Sequence, residues 1–573
     1  MKATLHGKAV FCGLLLAFAY SMICPCFGQS REFAAEPVSI EGWFSRSVVL
    51  EQLPRSSSDS TALPNITAKR FLADATANSL KTAAQQNVRE FAVPAATVPA
   101  PTSPASASLP FASFLPPNTF DEGTCGNVRF ADGGLAANVS YLVEAGSSCI
   151  KVLNPNTGAV ISGPTPLSRF FGSSNSTSNV RVLYDPVALR FLVSAEDYNQ
   201  NRIFVAASQS SNPTQGWNIY SFSMLGTCAS GSGDNPKMGQ TFLEPGDSQG
   251  AIYLSWDIYC AATGLSNFVG AISKTLAYSG SSISAIDGFQ GLRVGGISVD
   301  GVQPANVMNA GDHPRGEFLL NSYNFKFGGG YCVDGCNGVV VWDFYNGIPA
   351  SGGSQSLTAV EVATANTYYL PSNAPQPGCA VNTCGPDTGD TSLAGAVTYS
   401  AGSLFGALND SMGILVVEVE PEVNDSGTIT GALMRNEICF ACAGFTNGGQ
   451  AYEGAVQPDS ERNWVMVYNY SAPGTAGCTP DATTCIYPST AFVTRRVTQA
   501  QNTVDSNSAI LALGQSYYSQ VNPQGQNRWA DYSAVGPSYL SPNAFWFDGE
   551  FVESNGNWGS AIGETAYTSV TQP

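Results

Sequence analysis

Acidic and basic side chains stand directly before, or at the start of, several apolar runs in the C-terminal two-thirds of the chain. Paired carboxylates about 5–10 Å apart can act as acid and base on a glycosidic bond, and the same groups could equally hold Ca²⁺ with backbone carbonyls. The candidate catalytic acids are Asp234, Asp390 and Asp531, and the candidate ligand-binding residues are Lys237, Asp387, Glu453, Arg528 and Trp529. If these side chains converge, they form a polar cup.

A structural role explains the same residues. Asp and Asn before a strand accept hydrogen bonds from local backbone N–H groups and so close turns. Arg528 and Asp531 fit a buried ion pair, and a Trp beside a strand packs in a core more often than it stacks on a sugar. The one histidine after the N-terminal leader, His313, lies in a turn-like Gly-Asp-His-Pro-Arg-Gly sequence. No nucleophile elbow, phosphate loop or HExxH motif accompanies it.

The elements that must position these residues are short strands. Residues 190–195, 203–208 and 217–222 are rich in β-branched and aromatic residues, and Asp, Asn, Pro and Gly separate them. This pattern predicts strand, turn and strand in succession. Comparable units follow one another to the C-terminus.

The repetition predicts an all-β fold, a β-propeller of about seven four-stranded blades, although six or eight blades fit as well. Radial stacking of sheets buries both faces of each sheet and leaves only short edges. A closed ring requires the segment near Val128 to meet the last unit. The predicted propeller domain spans residues 121–573. A large sandwich and a β-helix are the rival folds, but the period is longer than β-helix coils allow.

The N-terminal part has a different character. Residues 1–28 have the pattern of a secretory signal peptide, with Lys2 and Lys8 before an apolar stretch and Gly28 at its end. Residues 29–120 are rich in Pro, Ala and Ser, which predicts a mostly disordered linker or propeptide. No later segment is long and apolar enough for a transmembrane helix. We therefore expect a secreted or cell-surface protein, in an extracellular or periplasmic location.

The cysteines support export. Of 15 cysteines, those at 12, 24 and 26 precede the expected cleavage point, and the others form near pairs along the chain. Local disulfides are typical of exported proteins. The expected pairs are Cys125/Cys149, Cys228/Cys260, Cys332/Cys336, Cys379/Cys384, Cys439/Cys442 and Cys478/Cys485. Only Cys439-Phe-Ala-Cys442 has zinc-like spacing, and it lacks the second pair of ligands that structural zinc needs.

Charge and composition limit the partners. Charged residues make up 12% of the chain and the net charge is −18. Nucleic-acid binding requires clustered Lys and Arg, so this class is excluded. A surface of neutral polar residues suits an extracellular glycan or protein as the partner.

Several phrases resemble a group of secreted bacterial propeller-like proteins, most of unknown function. They are 160–165 (VISGPT), 184–186 (YDP) with 190–191 (RF), 211–217 (SNPTQGW), 234–239 (DNPKMG), 387–390 (DTGD) and 528–533 (RWADYS). The resemblance implies the fold and export, but no activity. The turn at 211–217 is also distantly similar to the Asp-box turn of sialidase-type propellers, with Asn212 where Asp is usual.

These observations predict a secreted or cell-surface, non-enzymatic binding or interaction module for a glycan or protein. Two alternatives remain. One is a glycoside hydrolase (sialidase-like) or lyase that uses the carboxylates of a central channel. The other is a structural protein of a surface or extracellular matrix. The sequence indicates neither the ligand nor the oligomeric state, because one fold serves many functions.

Overall fold

A computed structural model describes most of the chain after the expected signal peptide. The described residues are 32–55, 98–102, 111–124, 132–146, 148–308, 312, 316–322, 335–379, 384–424, 426–505, 508–521, 527–539 and 543–566. Residues 1–28 lie outside this part. Two N-terminal strands, β1 (Phe33–Val49) and β2 (Phe111–Phe114), come before the main body. No helix in the described ranges is long and apolar enough to cross a membrane.

The main body begins with three antiparallel sheets, of which A and B contain four strands each and C contains five. Sheet A contains β3 (Gly133–Ala137), β4 (Leu142–Gly146), β5 (Cys149–Leu153) and β6 (Val160–Pro166), followed by helix α1 (Leu167–Phe171). Sheet B contains β7 (Ser178–Asp185), β8 (Arg190–Asp197), β9 (Arg202–Ser208) and β10 (Gly216–Ser223). Sheet C contains β11 (Gly231–Gln240), β12 (Ala251–Cys260), β13 (Gly264–Ser273), helix α2 (Lys274–Ser279), β14 (Ala285–Val294) and the short β15 (Ile297–Ser298).

The remaining sheets continue this order. Sheet D contains β16 (Gln303–Val307), β17 (Gly316–Ser322), β18 (Cys336–Tyr345) and β19 (Ser356–Tyr368). Sheet E contains β20 (Val397–Ser400), β21 (Ser403–Asn409), β22 (Ile414–Val423) and β23 (Ile429–Phe440). Sheet F contains β24 (Gln450–Pro458), β25 (Trp464–Ser471), β26 (Tyr487–Arg495) and β27 (Ala509–Gly514). Sheet G contains β28 (Ala534–Ser538), β29 (Ala544–Val552), β30 (Trp558–Ala566) and, as its outer strand, β2.

The first strands of successive sheets surround a common axis. Each of β3, β7, β11, β16, β20 and β24 contacts the first strand of the next sheet, and β28 of the last sheet contacts β3 of the first. Some of these neighbours pair in parallel, with Gln240 opposite Asn306 and Ala305 opposite Val397. The ring is therefore closed, as a β-propeller requires. The predicted all-β propeller class is confirmed.

Strand β2 joins the two ends of the ring. It pairs antiparallel with β30, with Phe111 opposite Thr565 and Phe114 opposite Ile562. The Phe114 ring also stacks on Trp546 of β29 at 5.8 Å between centroids. A segment from before sheet A thus completes sheet G, and the last sheet has no unpaired outer edge along these residues.

Strand β1 differs from the expected disordered linker. Its first half pairs with β14 of sheet C and its second half pairs with β10 of sheet B, so it is an outer strand for both sheets. Ile40, Val48 and the following Leu50 are buried. Gly42 lies where β1 passes from one sheet to the other, and a Cβ there would be 2.5 Å from the Phe222 ring. The average composition of 29–120 hides this stretch, which alternates apolar and polar residues before the proline-rich part begins.

The turn at residues 211–217 has a local explanation in the structure. Asn212 Oδ1 accepts hydrogen bonds from the Thr214 backbone N–H at 3.0 Å and the Thr214 hydroxyl at 2.9 Å. The buried Trp217 indole donates to the Pro213 carbonyl at 2.7 Å. The turn therefore orients the outer strand β10 and anchors its first aromatic residue in the core between sheets.

Disulfides lie in the loops and at strand ends. Four of the predicted pairs are present: Cys228–Cys260, Cys379–Cys384, Cys439–Cys442 and Cys478–Cys485. Cys149 and Cys336 are also disulfide-bonded, while their expected partners Cys125 and Cys332 lie outside the described residues. Cys439 and Cys442 bind each other, so the zinc-like spacing belongs to a disulfide.

Replacing Phe114 tests the closure of the ring. We expect Phe114→Ala to lower the free energy of unfolding by roughly 1–3 kcal/mol, because the half-buried ring loses its packing on Trp546. Ser113→Ala, an exposed site on the same strand, should change it by less than about 0.5 kcal/mol. Denaturant unfolding measures both variants, and equal effects would show that β2 does not hold the ends together.

Candidate functional site

The predicted site residues gather where the first strands of the sheets begin. Three of these strands have a register irregularity near their start, in β7, β11 and β24. At each irregularity one residue has positive φ: Asn179 (51°), Asn235 (55°) and Glu453 (53°). Such bulges rotate side chains out of the regular alternation. They therefore aim polar groups at the mouth of the central channel.

Arg528 is the centre of the first cluster of acids. Its Nη2 donates to Asp531 Oδ1 at 2.9 Å and its Nη1 lies 3.4 Å from Asp387 Oδ2. The backbone N–H of Asp531 donates to Asp132 Oδ1 at 3.0 Å, which ties this loop to the start of sheet A. Nearby carboxylates, Asp531 and Asp387 first, outweigh the desolvation of Arg528 and hold its pKa above the usual value. The buried Arg528 guanidinium thus interacts with several carboxylates at once.

Glu453 faces the same cluster from sheet F. Burial raises its pKa well above the usual value, and the carboxylates of Asp531, Asp390 and Asp387 raise it further. Only the Asn409 side chain opposes this shift noticeably by hydrogen bonding. The surroundings of Glu453 therefore disfavour its charged form. The structure thus brings together five predicted residues: Asp387, Asp390, Glu453, Arg528 and Asp531.

Asp390 already has a structural partner in its own turn. Its Oδ1 accepts from the Ser392 backbone N–H at 2.7 Å and also from the Ser392 hydroxyl. This is the turn-closing geometry that Asp residues commonly adopt before strands. The side chain is half-buried.

Asp234 and Lys237 form a separate group at the start of sheet C. The Asn179 amide lies 3.5 Å from Asp234 Oδ1, and Lys237 Nζ donates to the Leu393 carbonyl at 3.4 Å. Both side chains are buried. Beside them, burial first and then Asp300 raise the pKa of Asp257 well above its usual value. Lys237 thus ties sheet C to the loop that precedes sheet E.

Sequence reasoning missed a continuation of the acidic cluster into sheets A and G. Glu144 and Lys151 lie opposite each other on β4 and β5, and Asp548 and Glu550 lie on β29. Burial raises the pKa of Glu144, Asp548 and Glu550 and lowers the pKa of Lys151. The available signal was an ionisable residue inside a short apolar strand, as in 142–146 (LVEAG) and 149–153 (CIKVL).

Gly133 of sheet A lies close to two acids of sheet G, Asp548 and Glu550. A Cβ at Gly133 would lie 3.0 Å from Asp548 Oδ2 and 3.4 Å from Glu550 Oε1. A side chain at this position would therefore require mainly the Asp548 carboxylate to shift by a small distance.

Trp529 lies in the core and not on the rim. It is 2% exposed and packs edge-to-face on Tyr518 at 4.7 Å between ring centroids. Neither face of the indole is free to stack on a sugar in this structure.

The central channel is narrow. Its cavity of about 50 Å³ is lined by Gly133, Gly134, Ala136 and Gly536, among others. Such a volume holds a few water molecules, whereas sites for small organic ligands are usually ~300–1,000 Å³. The channel itself therefore admits water but not a saccharide.

The described residues contain one set of three ligand atoms within 4.8 Å of one another, from Asp410, Cys439 and Cys442. The disulfide between the two cysteines removes their thiolates, and metal binding by cysteine requires a thiolate. The acids around Arg528 do not converge to this degree. The geometry thus offers no preformed three-carboxylate cage for Ca²⁺ in the part of the chain described.

A second group of acids lies between sheets C and D. Glu244 Oε1 accepts hydrogen bonds from the hydroxyls of Tyr253 at 2.7 Å and Thr241 at 2.9 Å. Burial raises the pKa of Glu244 to about 7. Burial first and the nearby Glu244 second raise the pKa of Asp343 to about 8, and the same two causes raise that of Glu317 well above its usual value. Burial thus disfavours the charged form of all three acids.

An open pocket lies where β7 and β11, the first strands of sheets B and C, end. The acids around Arg528 and Asp234 lie at the opposite end of the first strands. We call the open pocket the Arg190 pocket. Its volume is about 480 Å³, and its lining residues are Val187, Ala188, Arg190, Ser248, Gln249, Thr275, Tyr278 and Ser279. None of these eight residues is acidic, and several are exposed. Sequence reasoning noted 184–186 and 190–191 only as phrases typical of the fold.

Comparison with known proteins finds only distant similarities, all to solved structures. No protein-family model and no curated protein sequence matches the chain. Among solved structures, it is similar to the WD40 domain of SCAP from fission yeast, with 10% identity, a TM-score of 0.28, and coverage of 80% of this chain and 98% of that one. It is also similar to extracellular domains 1–2 of Drosophila Semaphorin 1b, with 7% identity, a TM-score of 0.28, and coverage of 82% and 88%. A third similar structure is the GH43_1 enzyme from Xanthomonas citri complexed with xylose, with 11% identity, a TM-score of 0.23, and coverage of 69% and 87%. Similarities this distant carry no functional argument.

Replacing Arg528 tests the charge balance at the channel mouth. We expect Arg528→Gln to lower the free energy of unfolding at pH 7 by about 3–5 kcal/mol, because Asp387 and Asp531 lose their buried cation. The matched control is Arg435→Gln, whose ion pair with Glu420 is 42% and 34% exposed. The control should cost far less than Arg528→Gln, because an exposed ion pair contributes little to stability. Urea unfolding measures both, and similar costs would contradict a buried network.

The acids between sheets C and D predict that stability falls as pH rises. The pKa of Glu244 moves from 4.5 to about 7 on folding, and that of Asp343 from 3.8 to about 8. Between these values the native state binds more protons than the unfolded chain, so the free energy of unfolding decreases with pH. We expect thermal unfolding to show a higher midpoint at pH 5 than at pH 8.

Glu244→Gln isolates this effect. Glutamine retains an acceptor for Tyr253 and Thr241 but has no proton to release, so the loss between pH 5 and pH 8 should shrink by on the order of 1–3 kcal/mol. Glu41→Gln, at an exposed position in β1, should leave the pH profile unchanged. An identical profile for Glu244→Gln and the wild type would show that Glu244 is ionised in the native state.

Proposed function

We propose that this chain is an exported, seven-bladed β-propeller that acts as a non-enzymatic binding module for a glycan or protein. Sheets A to G supply the blades, each with four main strands. The bound partner would lie outside the cell, at the surface or in the surrounding medium. The rigid ring presents the partner-binding surface, and the chemistry of the ring itself is structural.

The observation that carries this proposal is the contrast between the two ends of the first strands. At one end, Asp234 and Glu453 are each 1% exposed, and the other two candidate catalytic acids, Asp390 and Asp531, are half-buried. Asp390 and Asp531 have structural partners in Ser392 and Arg528, and the central channel is narrow. At the other end, the Arg190 pocket is large enough for a small ligand and is open to solvent. A binding role would use this accessible pocket without any rearrangement of the structure.

Export is supported by independent features. Four disulfides lie within the described ranges, and stable disulfides are typical of oxidising compartments. The low content of charged residues also suits a surface of neutral hydrogen-bonding groups. The pattern of residues 1–28 provides the export signal in this proposal.

A binding screen tests the proposal. The mature chain is applied to a glycan array and to extracellular protein fractions, and each bound glycan is then incubated with the protein to detect cleavage. We expect binding without turnover. The triple variant Asp234→Ala, Asp390→Ala and Asp531→Ala, if it folds, should bind as the wild type does.

Hydrolysis or lyase cleavage that disappears in the triple variant would overturn the proposal in favour of catalysis by the channel carboxylates. Self-assembly into ordered polymers without ligand binding would favour a structural matrix protein. If the triple variant does not fold, Asp390→Asn alone keeps the test informative, because the amide retains an acceptor for Ser392 and is not an acid.

A further inference from the structure

We propose that the Arg190 pocket binds an acidic saccharide and that Arg190 recognises its carboxylate. This inference rests on the proposed binding function and assigns it a site and a ligand class. The starting observation is a single cation in an open pocket whose lining has no acid.

The guanidinium of Arg190 is held in place by its own turn. Arg190 begins β8 and lies opposite Asp185 of β7. Its Nη1 donates to the carbonyls of Ala188 at 3.0 Å and Leu189 at 3.1 Å. Its Nε is buried and has no hydrogen-bond partner among the described residues. The side chain is therefore oriented before any ligand arrives.

The Asp185 carboxylate does not form an ion pair with Arg190, because it is bound by another cation, Lys274. The Asp185 Oδ2 accepts from Lys274 Nζ at 2.7 Å, and both side chains are completely buried. The same oxygen accepts from the Tyr278 hydroxyl at 2.7 Å. The Asp185 Oδ1 accepts the backbone N–H groups of Val187 and Ala188. Asp185 thus builds the pocket wall, and its carboxylate is bound by Lys274 and Tyr278 and not by Arg190.

The remaining lining is neutral and rich in hydrogen-bonding groups. Ser248, Gln249, Thr275 and Ser279 are exposed, and they surround the opening with hydroxyl and amide groups. The loop that bears Ser248 and Gln249 is fixed, because Asp247 accepts hydrogen bonds from Thr275 at 2.6 Å (hydroxyl) and 3.0 Å (backbone N–H). Such a rim suits a ligand with several hydroxyls on a rigid ring.

An apolar strip and an aromatic ring complete the pocket. Val187 is 62% exposed beside Ala188, and Tyr278 lies with its ring centroid 6.0 Å from the Arg190 guanidinium carbon. Sugar rings have apolar C–H faces that pack on such surfaces. Together with a planar donor for a carboxylate, these features select a saccharide that carries a carboxylate over a neutral one.

The net charge of the chain is relevant to any preference for an acidic ligand. The net charge of −18 repels anions in general. A preference for an acidic ligand must therefore come from a local site, and it should weaken as salt screens the contact.

Paired ligands test the assignment. Calorimetry compares a uronic-acid trisaccharide with the neutral trisaccharide in which each carboxylate is replaced by CH₂OH. We expect the wild type to bind the acidic ligand at least roughly tenfold more tightly at low salt, as one charge-assisted hydrogen bond allows. Arg190→Gln should remove this preference, with a loss of roughly 10- to 100-fold in affinity for the acidic ligand alone.

Two further variants separate recognition from folding. Arg293→Gln removes an exposed arginine of β14 outside the pocket, and it should retain the preference. Gln249→Ala changes only the exposed rim, so it should fold normally and weaken the binding of both ligands.

Three results would overturn the proposal: equal affinity for the acidic and neutral ligands, an Arg190→Gln variant that still prefers the acid, or equal binding of a peptide with a free C-terminal carboxylate. If the wild type binds another glycan or a protein that Arg190→Gln leaves unaffected, the binding function stands and only this site is refuted. If it binds nothing in either experiment, the proposed function is refuted as well.

Discussion

The burial of sheet faces against neighbouring sheets is the constraint on which the rest of this structure depends. A four-stranded sheet of mixed Val, Ile, Phe and Trp cannot remain stable alone, because both faces would be exposed to water. Clusters such as the one formed by Leu192, Val205, Tyr220, Ile252 and Trp256 fill the space between consecutive sheets. Each sheet therefore needs two neighbours, and only a closed ring gives two neighbours to all of them.

Closure determines the position of the N-terminal segment. The outer edge of sheet G is covered by β2, and the outer edges of sheets B and C share the single strand β1. These strands come from a region whose composition is typical of a tether. The segment therefore belongs to the fold, since removing it would expose three sheet edges to solvent.

The convergence of the first strands also explains the buried acids. Where many strand ends meet around one axis, their polar groups are removed from water together. Desolvation then raises the pKa of Glu453, Asp548 and Glu550, and Arg528 and Lys151 supply the available cations. Perturbed acids often mark active sites, but the partners and burial here are equally those of a structural network. An open pocket lies at the far ends of β7 and β11, around Arg190 and Tyr278.

The pattern of short apolar runs and turn residues was sufficient to predict the all-β propeller class, because strand periodicity and Gly, Pro, Asn and Asp turns are local properties of the chain. Cysteine spacing likewise predicted the four disulfides, since both partners of three of them lie in one loop or turn. The grouping of Asp387, Asp390, Glu453, Arg528 and Asp531 was anticipated because each lies shortly before or within the start of a strand run, where first strands converge.

Local pattern could not show three other features. The burial of Trp529, the pairing of β1 with two separate sheets, and the use of Lys274 by Asp185 all join segments that are distant in the sequence. The Arg190 pocket is a further case, because a β7–β8 turn and helix α2 form it only after sheets B and C pack together. The sequence alone determined which segments become strands and which cysteines pair; tertiary structure decided which polar groups are buried and which face the solvent, because burial depends on neighbours that only the closed ring brings into contact.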